Sequence, residues 1–308
     1  MRIVIGLLLG ILLTILTASP GEADTVRHVN RTDATCGGAS PCYGSIQAAV
    51  NAAQAGDTVQ IQSGSYLEQV GVIAKNTSAT NPATRIVIQA DPAAAVGSVV
   101  LRGAINQCAG GHAILVRQSR FVTIRGLTIT GAGGAAIVLA GAGDRNIGVH
   151  VERNRIVGNG GTGCDGGITI GAGNAATLVV NNLVLANGRN GIATLEGEGG
   201  PHTLVQNTIH GNGWNGVSAT RAHVLLLINN AITGNGTQTG SAGGRMGVRR
   251  EPAPAPLAIL LRNNLICGNR LGEIAGPVLD GADGVNLTPA GAEGPGVTAS
   301  PGCDNPAL

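Results

Sequence analysis

The sequence predicts an all-β chain, a parallel β-helix closed at its N-terminal end by one short helix. Three observations carry this. Asparagine recurs in matched pairs at coil-sized intervals, and those intervals hold short β-branched runs broken by glycine. The 308 residues also include 51 glycines but only four aromatic side chains, Tyr43, Tyr66, Phe121 and Trp214. An ordinary core of this length draws far more of its volume from aromatic rings. Val, Ile, Leu and Ala, in contrast, suit many short strands packed in thin layers.

The chain opens MRIVIGLLLGILLTILTASPGEAD. Arg2 precedes an uncharged apolar run from Ile3 to Leu16, and small residues follow to Ala23. That is the order of an export signal. The run is shorter than the roughly 20 residues of a bilayer span, so residues 1–23 are expected to be cleaved and the mature chain to start at Asp24. No later segment is apolar enough to cross a membrane. The expected destination is the periplasm, the cell surface or the medium.

Six cysteines fit an oxidising compartment. Cys36 and Cys42 close the short loop CGGASPC, Cys267 with Cys303 would tie down the C-terminal segment, and Cys108 with Cys164 form the remaining pair. Metal binding is the rival role, but no C-x-x-C and no cysteine–histidine cluster at ligand spacing is present, so no metal site is expected.

The segment YGSIQAAVNAAQAGDTVQIQSGSYLEQV (43–70) reads as helix then strand. Ser45 is placed to cap a helix over about 45–55; Ile46, Ala49, Val50 and Ala53 share a face; Gly56 ends it. Such a helix covers the open end of a solenoid, where strand edges are otherwise unpaired.

Five segments then align without gaps: NRIVGNG, NNLVLANG, QNTIHGNG, NNAITGNG and NNLICGNR. The pairs are Asn154/Asn159, Asn182/Asn187, Asn207/Asn212, Asn230/Asn235 and Asn264/Asn269, with Leu127 and Ala132 in a degenerate earlier copy. First asparagines are 28, 25, 23 and 34 residues apart. Coils stack at roughly 4.7–4.9 Å, so a repeated Asn becomes a ladder of amides, and its tolerance of the left-handed conformation suits a sharp bend. Two residues after each first Asn, Ile156, Val184, Ile209, Ile232 and Ile266 point inward; the next position, including His210 and Cys267, points outward.

The helix-strand segment and the asparagine-bearing coils together resemble the right-handed parallel β-helix proteins of the pectin-lyase-like superfamily, over residues 43–270. The resemblance implies a right-handed β-helix across residues 24–270, and residues 271–308, which lose the periodicity, are expected as a tail packed on the solenoid. It does not imply one activity, because the superfamily holds lyases, hydrolases, epimerases and non-catalytic surface proteins.

Enzymes of this superfamily work on the outer face of one long parallel sheet. Here that sheet is expected to contain GITIG (167–171), GIATLEGE (191–198), GVSATRAH (216–223) and GVRRE (247–251). Counted from the opening glycine, Glu196 stacks on Arg221, and Glu198 on His223. Glu196, Arg221 and His223 are the candidate catalytic residues; Glu198, Arg249, Arg250 and Trp214 are the candidate substrate-binding residues. Arginines hold a uronate carboxylate bidentately, and Glu196 or His223 would move protons. The bland alternative is a ladder of exposed salt bridges worth about 0–1 kcal/mol each.

Lys75, the sole lysine, lies at an ordinary loop position of the resemblance, and Glu68 in SYLEQV reads as structural. No cofactor is evident, and a Ca²⁺ requirement finds no carboxylate cluster to support it. A net charge of +2 argues against nucleic acid as a partner. The expected partner is an acidic polysaccharide, bound or modified by a lyase or epimerase; the alternative is a non-catalytic cell-envelope or surface protein. Oligomeric state is left open.

Overall fold

The computed structural model describes residues 24–104, 108, 110–161, 164–195, 199–220, 224–239, 244–250, 259–276, 279–280, 286–288 and 297–299. Its strands form three sheets, with eleven, ten and eight strands among the described residues, and every pairing is parallel. The fold is the expected right-handed parallel β-helix.

One coil shows the pattern. His202–Val205 lies in sheet A, Thr208–His210 in sheet B and Val217–Ala219 in sheet C. The chain then re-enters sheet A at Leu225–Ile228, directly beside His202–Val205. Because the stack is in register, like falls on like. In sheet B, Ile129, Ile156, Val184, Ile209, Ile232 and Ile266 form one fully buried column. Each such side chain contributes about 1.5–3 kcal/mol of burial.

Both asparagine ladders form at the corners of the coil. Asn182 Nδ2 donates to Asn207 Oδ1 at 3.0 Å, and Asn207 Nδ2 to Asn230 Oδ1 at 3.0 Å. Each Oδ1 also accepts the backbone N–H of the asparagine in the preceding coil. At the degenerate copy the backbone N–H groups of Leu127 and Ala132 donate to Asn154 and Asn159. The left-handed residue, however, is the one before the ladder asparagine: Arg153, Asn181, Gln206, Asn229 and Asn263 at one corner. At the other corner it is Gly158, Ala186, Gly211, Gly234 and Gly268. The ladder asparagines are thus selected for their paired donor and acceptor, not for tolerance of positive φ.

The cap helix spans Ile46–Ala52 and ends four residues before Gly56, whose positive φ belongs to the next turn. Ser45 Oγ accepts from the Ala48 N–H at 3.2 Å. Glu68 carboxylate oxygens accept the Ile46 and Gln47 N–H groups, both at 3.0 Å, and Lys75 Nζ donates to the Asn51 and Ala53 carbonyls at the other end. Glu68 and Lys75 therefore bolt the cap to the first coil.

Cys36 is bonded to Cys42, and Cys108 to Cys164. Cys267 is also disulfide-bonded; Cys303, its expected partner, lies outside the described residues. Where a tail is expected after Leu271, Gly272–Ala275, Leu279–Asp280, Asn286–Thr288 and Val297–Ala299 extend the three sheets by parallel pairing. These strands lack the asparagine pair that marks earlier coils. Among the described residues no helix is long and apolar enough to cross a membrane; the expected export signal, residues 1–23, lies outside them.

Candidate functional site

Sheet C carries the candidate face. Its strands Ile168–Ile170, Ile192–Thr194, Val217–Ala219 and Met246–Arg250 are adjacent and in register. Thr169, Ala193, Ser218 and Arg249 share one column. Their neighbours Ile168, Ile192, Val217 and Val248 fill the core, so by alternation this column faces outward. Three of its members are small and sunk, only 6, 4 and 5 % exposed for Thr169, Ala193 and Ser218. The Thr169 Oγ1 is buried without a hydrogen-bond partner.

Glu196, Glu198, Arg221 and His223 lie outside the described residues. The strands leading to them end side by side, with Thr194 opposite Ala219. A cavity of about 350 Å³ is lined by Arg145, Ile147, Gly173, Ala175, Gly199 and Gly200.

The two following arginines do not share a face. Arg249 continues the outward column, whereas Arg250 is in register with Ala219, a fully buried interior residue. Only the register separates them, since strand alternation sends neighbours to opposite sides.

Trp214 is half-buried rather than exposed in its turn. The Arg189 guanidinium lies 3.8 Å from its ring centroid, and a Cβ on Gly244 would sit 3.2 Å from its Cε3. With one face covered by a cation and an edge against backbone, the indole is not an open platform for a sugar ring. Arg189 Nη1 also reaches Asp165 Oδ1 at 3.7 Å. Beneath them runs a polar ladder that the sequence reading did not find. Asn190 Nδ2 donates to Asp165 Oδ1 at 3.4 Å, and Asn215 Nδ2 to Asn190 Oδ1 at 3.0 Å. The Asn215 Oδ1 then accepts the Met246 N–H. At the corner after sheet C, Ser119, Asn146 and Asn174 form a fourth ladder.

His112, at the entry to Ile114–Arg117 on the same sheet, is another group that sequence reasoning missed. Burial holds its imidazole below the usual histidine range, so it is neutral near pH 7.

Residues 50–273 match the family described as "Periplasmic copper-binding protein (NosD)". The chain belongs to the NosD family. Among solved structures it resembles the pectate lyase Pel9A, at 15 % identity and a TM-score of 0.69, over 92 % of this chain and 74 % of that one. It also resembles a lacto-N-biosidase of family GH136 from Eubacterium ramulus (12 % identity, TM-score 0.55, 87 % of this chain and 64 % of that one). XylC in complex with xylose is similar at 10 % identity and a TM-score of 0.52, over 86 % of this chain and 68 % of that one. At these identities the likeness shows the fold alone. No curated protein sequence matches the chain.

The family description raises copper. Copper sites draw on thiolate, thioether and imidazole donors. Cys36, Cys42, Cys108, Cys164 and Cys267 are all oxidised, and among the described residues no three His, Cys, Asp or Glu side chains converge. The donors described for this NosD-family chain do not fit a resident copper ion.

Proposed function

We propose that this NosD-family chain is an exported protein that binds, and acts as a lyase or epimerase on, an acidic polysaccharide along the outer face of sheet C. One observation carries the reading: the sunken column Thr169, Ala193 and Ser218 leads coil by coil to Arg249. Small side chains stacked on parallel strands project little from the sheet, and a guanidinium at the end of that row would grip a carboxylate bidentately. Glu196, Arg221 and His223, the candidate catalytic residues, would do the chemistry. In that role Arg221 neutralises the uronate carboxylate, which acidifies the C5 proton, and Glu196 or His223 removes it.

The test incubates the mature, disulfide-bonded protein with alginate, pectate and glycosaminoglycans while following ultraviolet absorbance of unsaturated uronates and, in parallel, glycan binding. The expected result is product with one acidic glycan, lost in Glu196→Gln and Arg221→Ala, and weaker binding in Arg249→Ala. Product formed equally by the double variant sinks the site. Binding without product reduces the protein to a non-catalytic surface binder. The family description favours copper as a second reading, which wins if the oxidised chain binds one copper ion tightly and none of the glycans.

A further inference from the structure

We infer a second ligand site, for the carboxylate of a uronate sugar, at the corner joining sheets A and B. A cavity of about 470 Å³ lies there, lined by Gln89, Asp91, Arg125, Gly126, Arg153 and the loop that follows Asp91. That volume falls among small-ligand pockets, roughly 300–1,000 Å³. Its residues are separate from the sheet C face, and the choice of a uronate as its ligand rests on the acidic-polysaccharide reading.

A missing side chain opens the space. Arg153, Asn181, Gln206, Asn229 and Asn263 hold the left-handed position at this corner in successive coils, each at φ of 54–55°. Gly126 holds it one coil earlier, at φ 73°, and projects nothing. In the coil before that, the tight corner is replaced by a longer loop between Ala90 and Val99, whose Pro92, Ala94, Ala95 and Val96 supply an apolar wall. Asp91 Oδ1 starts the loop by accepting the Ala93 N–H at 2.9 Å.

Two guanidiniums then share the cavity. Arg125 is held in place, its Nε donating to Gln89 Oε1 at 2.6 Å and its Nη1 3.5 Å from Glu152 Oε1. Gln89, Arg125 and Glu152 are in register on successive strands, so this row is built by the stack. Arg153, from the next coil, is exposed, and its guanidinium has no hydrogen-bond or ion-pair partner among the described residues. Against these two cations the lining holds one carboxylate, Asp91. A fixed and a free guanidinium facing one space suit a planar carboxylate. Asp91 and the Gln89 amide remain for sugar hydroxyls, and the loop's apolar wall for a C–H face.

The test titrates the mature, disulfide-bonded protein with trigalacturonate by calorimetry, with galactose and inorganic sulfate as comparison arms. Arg153→Ala is expected to weaken trigalacturonate binding at least tenfold. Gly126→Asn is expected to abolish binding at this corner with the fold retained, since Asn already serves at three equivalent positions, and with at most a small drop in melting temperature from its Cβ 3.3 Å from Ala90 Cβ. Arg249→Ala should leave this binding step intact. The inference is overturned if trigalacturonate does not bind, if galactose binds as well, or if sulfate competes as tightly as the sugar. It is equally overturned if Arg153→Ala and Gly126→Asn are silent while Arg249→Ala removes all binding; that last outcome leaves the sheet C reading standing.

Discussion

Arg189 sits over the ring of Trp214, its guanidinium carbon 3.8 Å from the ring centroid. The contact spans adjacent coils and is reinforced by the Trp214 backbone N–H donating to the Arg189 carbonyl at 2.7 Å. Trp214 is the chain's only tryptophan, so tryptophan fluorescence reports the surroundings of this one side chain. Arg189→Ala is expected to shift the emission to longer wavelength and to cost about 1 kcal/mol, the scale of a partly buried cation–π pair. An unshifted spectrum would show that the stack does not form in solution.

Asn212 lies mid-ladder. Its Oδ1 accepts from the Asn187 N–H and Nδ2, both at 3.0 Å, and its Nδ2 donates to Asn235 Oδ1 and the Val184 carbonyl. Asn212→Ala strands all of these buried groups, each worth about 1–3 kcal/mol when unpaired. Urea denaturation should record a loss of about 3–5 kcal/mol, at the severe end for one substitution. His210→Ala, two residues away but exposed and bonded only to Thr233 Oγ1, should change stability by less than about 0.5 kcal/mol.

Glu68 takes the place of a second N-cap. Glu68→Ala leaves the Ile46 and Gln47 N–H groups without their acceptor and is expected to cost about 1–2 kcal/mol. Hydrogen exchange localises the effect: the amides of Ile46–Ala52 should lose protection while ladder amides such as Asn207 keep theirs.

The second asparagine ladder ends on a carboxyl. Asn269 Nδ2 donates to the buried Glu273 side chain. Burial raises the Glu273 pKa above its ordinary 4.5, more than its hydrogen bonds from Asn269 and Gly268 lower it. The folded chain therefore holds this proton to higher pH than the unfolded chain. Stability from this group is complete below pH 4.5 and is lost as pH rises through the folded value. Glu273→Gln, which still offers Asn269 an acceptor, should match the wild type at pH 4 and exceed it at pH 8 in denaturation midpoint. A wild type equally stable relative to the variant at both pH values would refute the shift.

The candidate site was legible only in part. The strands of sheet C, their order and the alignment of their opening glycines could be read from GITIG, GIATLEGE, GVSATRAH and GVRRE. Whether Arg249 or Arg250 faces outward could not, because a one-residue change of register exchanges the two faces. The Asp165–Asn190–Asn215 and Ser119–Asn146–Asn174 ladders are harder to read because Asp165 and Ser119 change the residue type, although Ser119, Asn146 and Asn174 each stand eight residues before Leu127, Asn154 and Asn182. The corner cavity is hard to read for a related reason: it depends on a glycine read against side chains one to five coils away.

The sequence alone determined the coil, the interior columns and the two main ladders, because a buried amide must donate and accept in line and a buried strand must alternate. That demand repeats in every coil and so leaves a periodic trace. Only the tertiary structure decided that Arg189 covers Trp214, that Lys75 closes the cap helix and that Arg125 and Arg153 face one cavity. Outward side chains answer to loop length and to neighbours in adjacent coils, and neither is constrained by the period of the core.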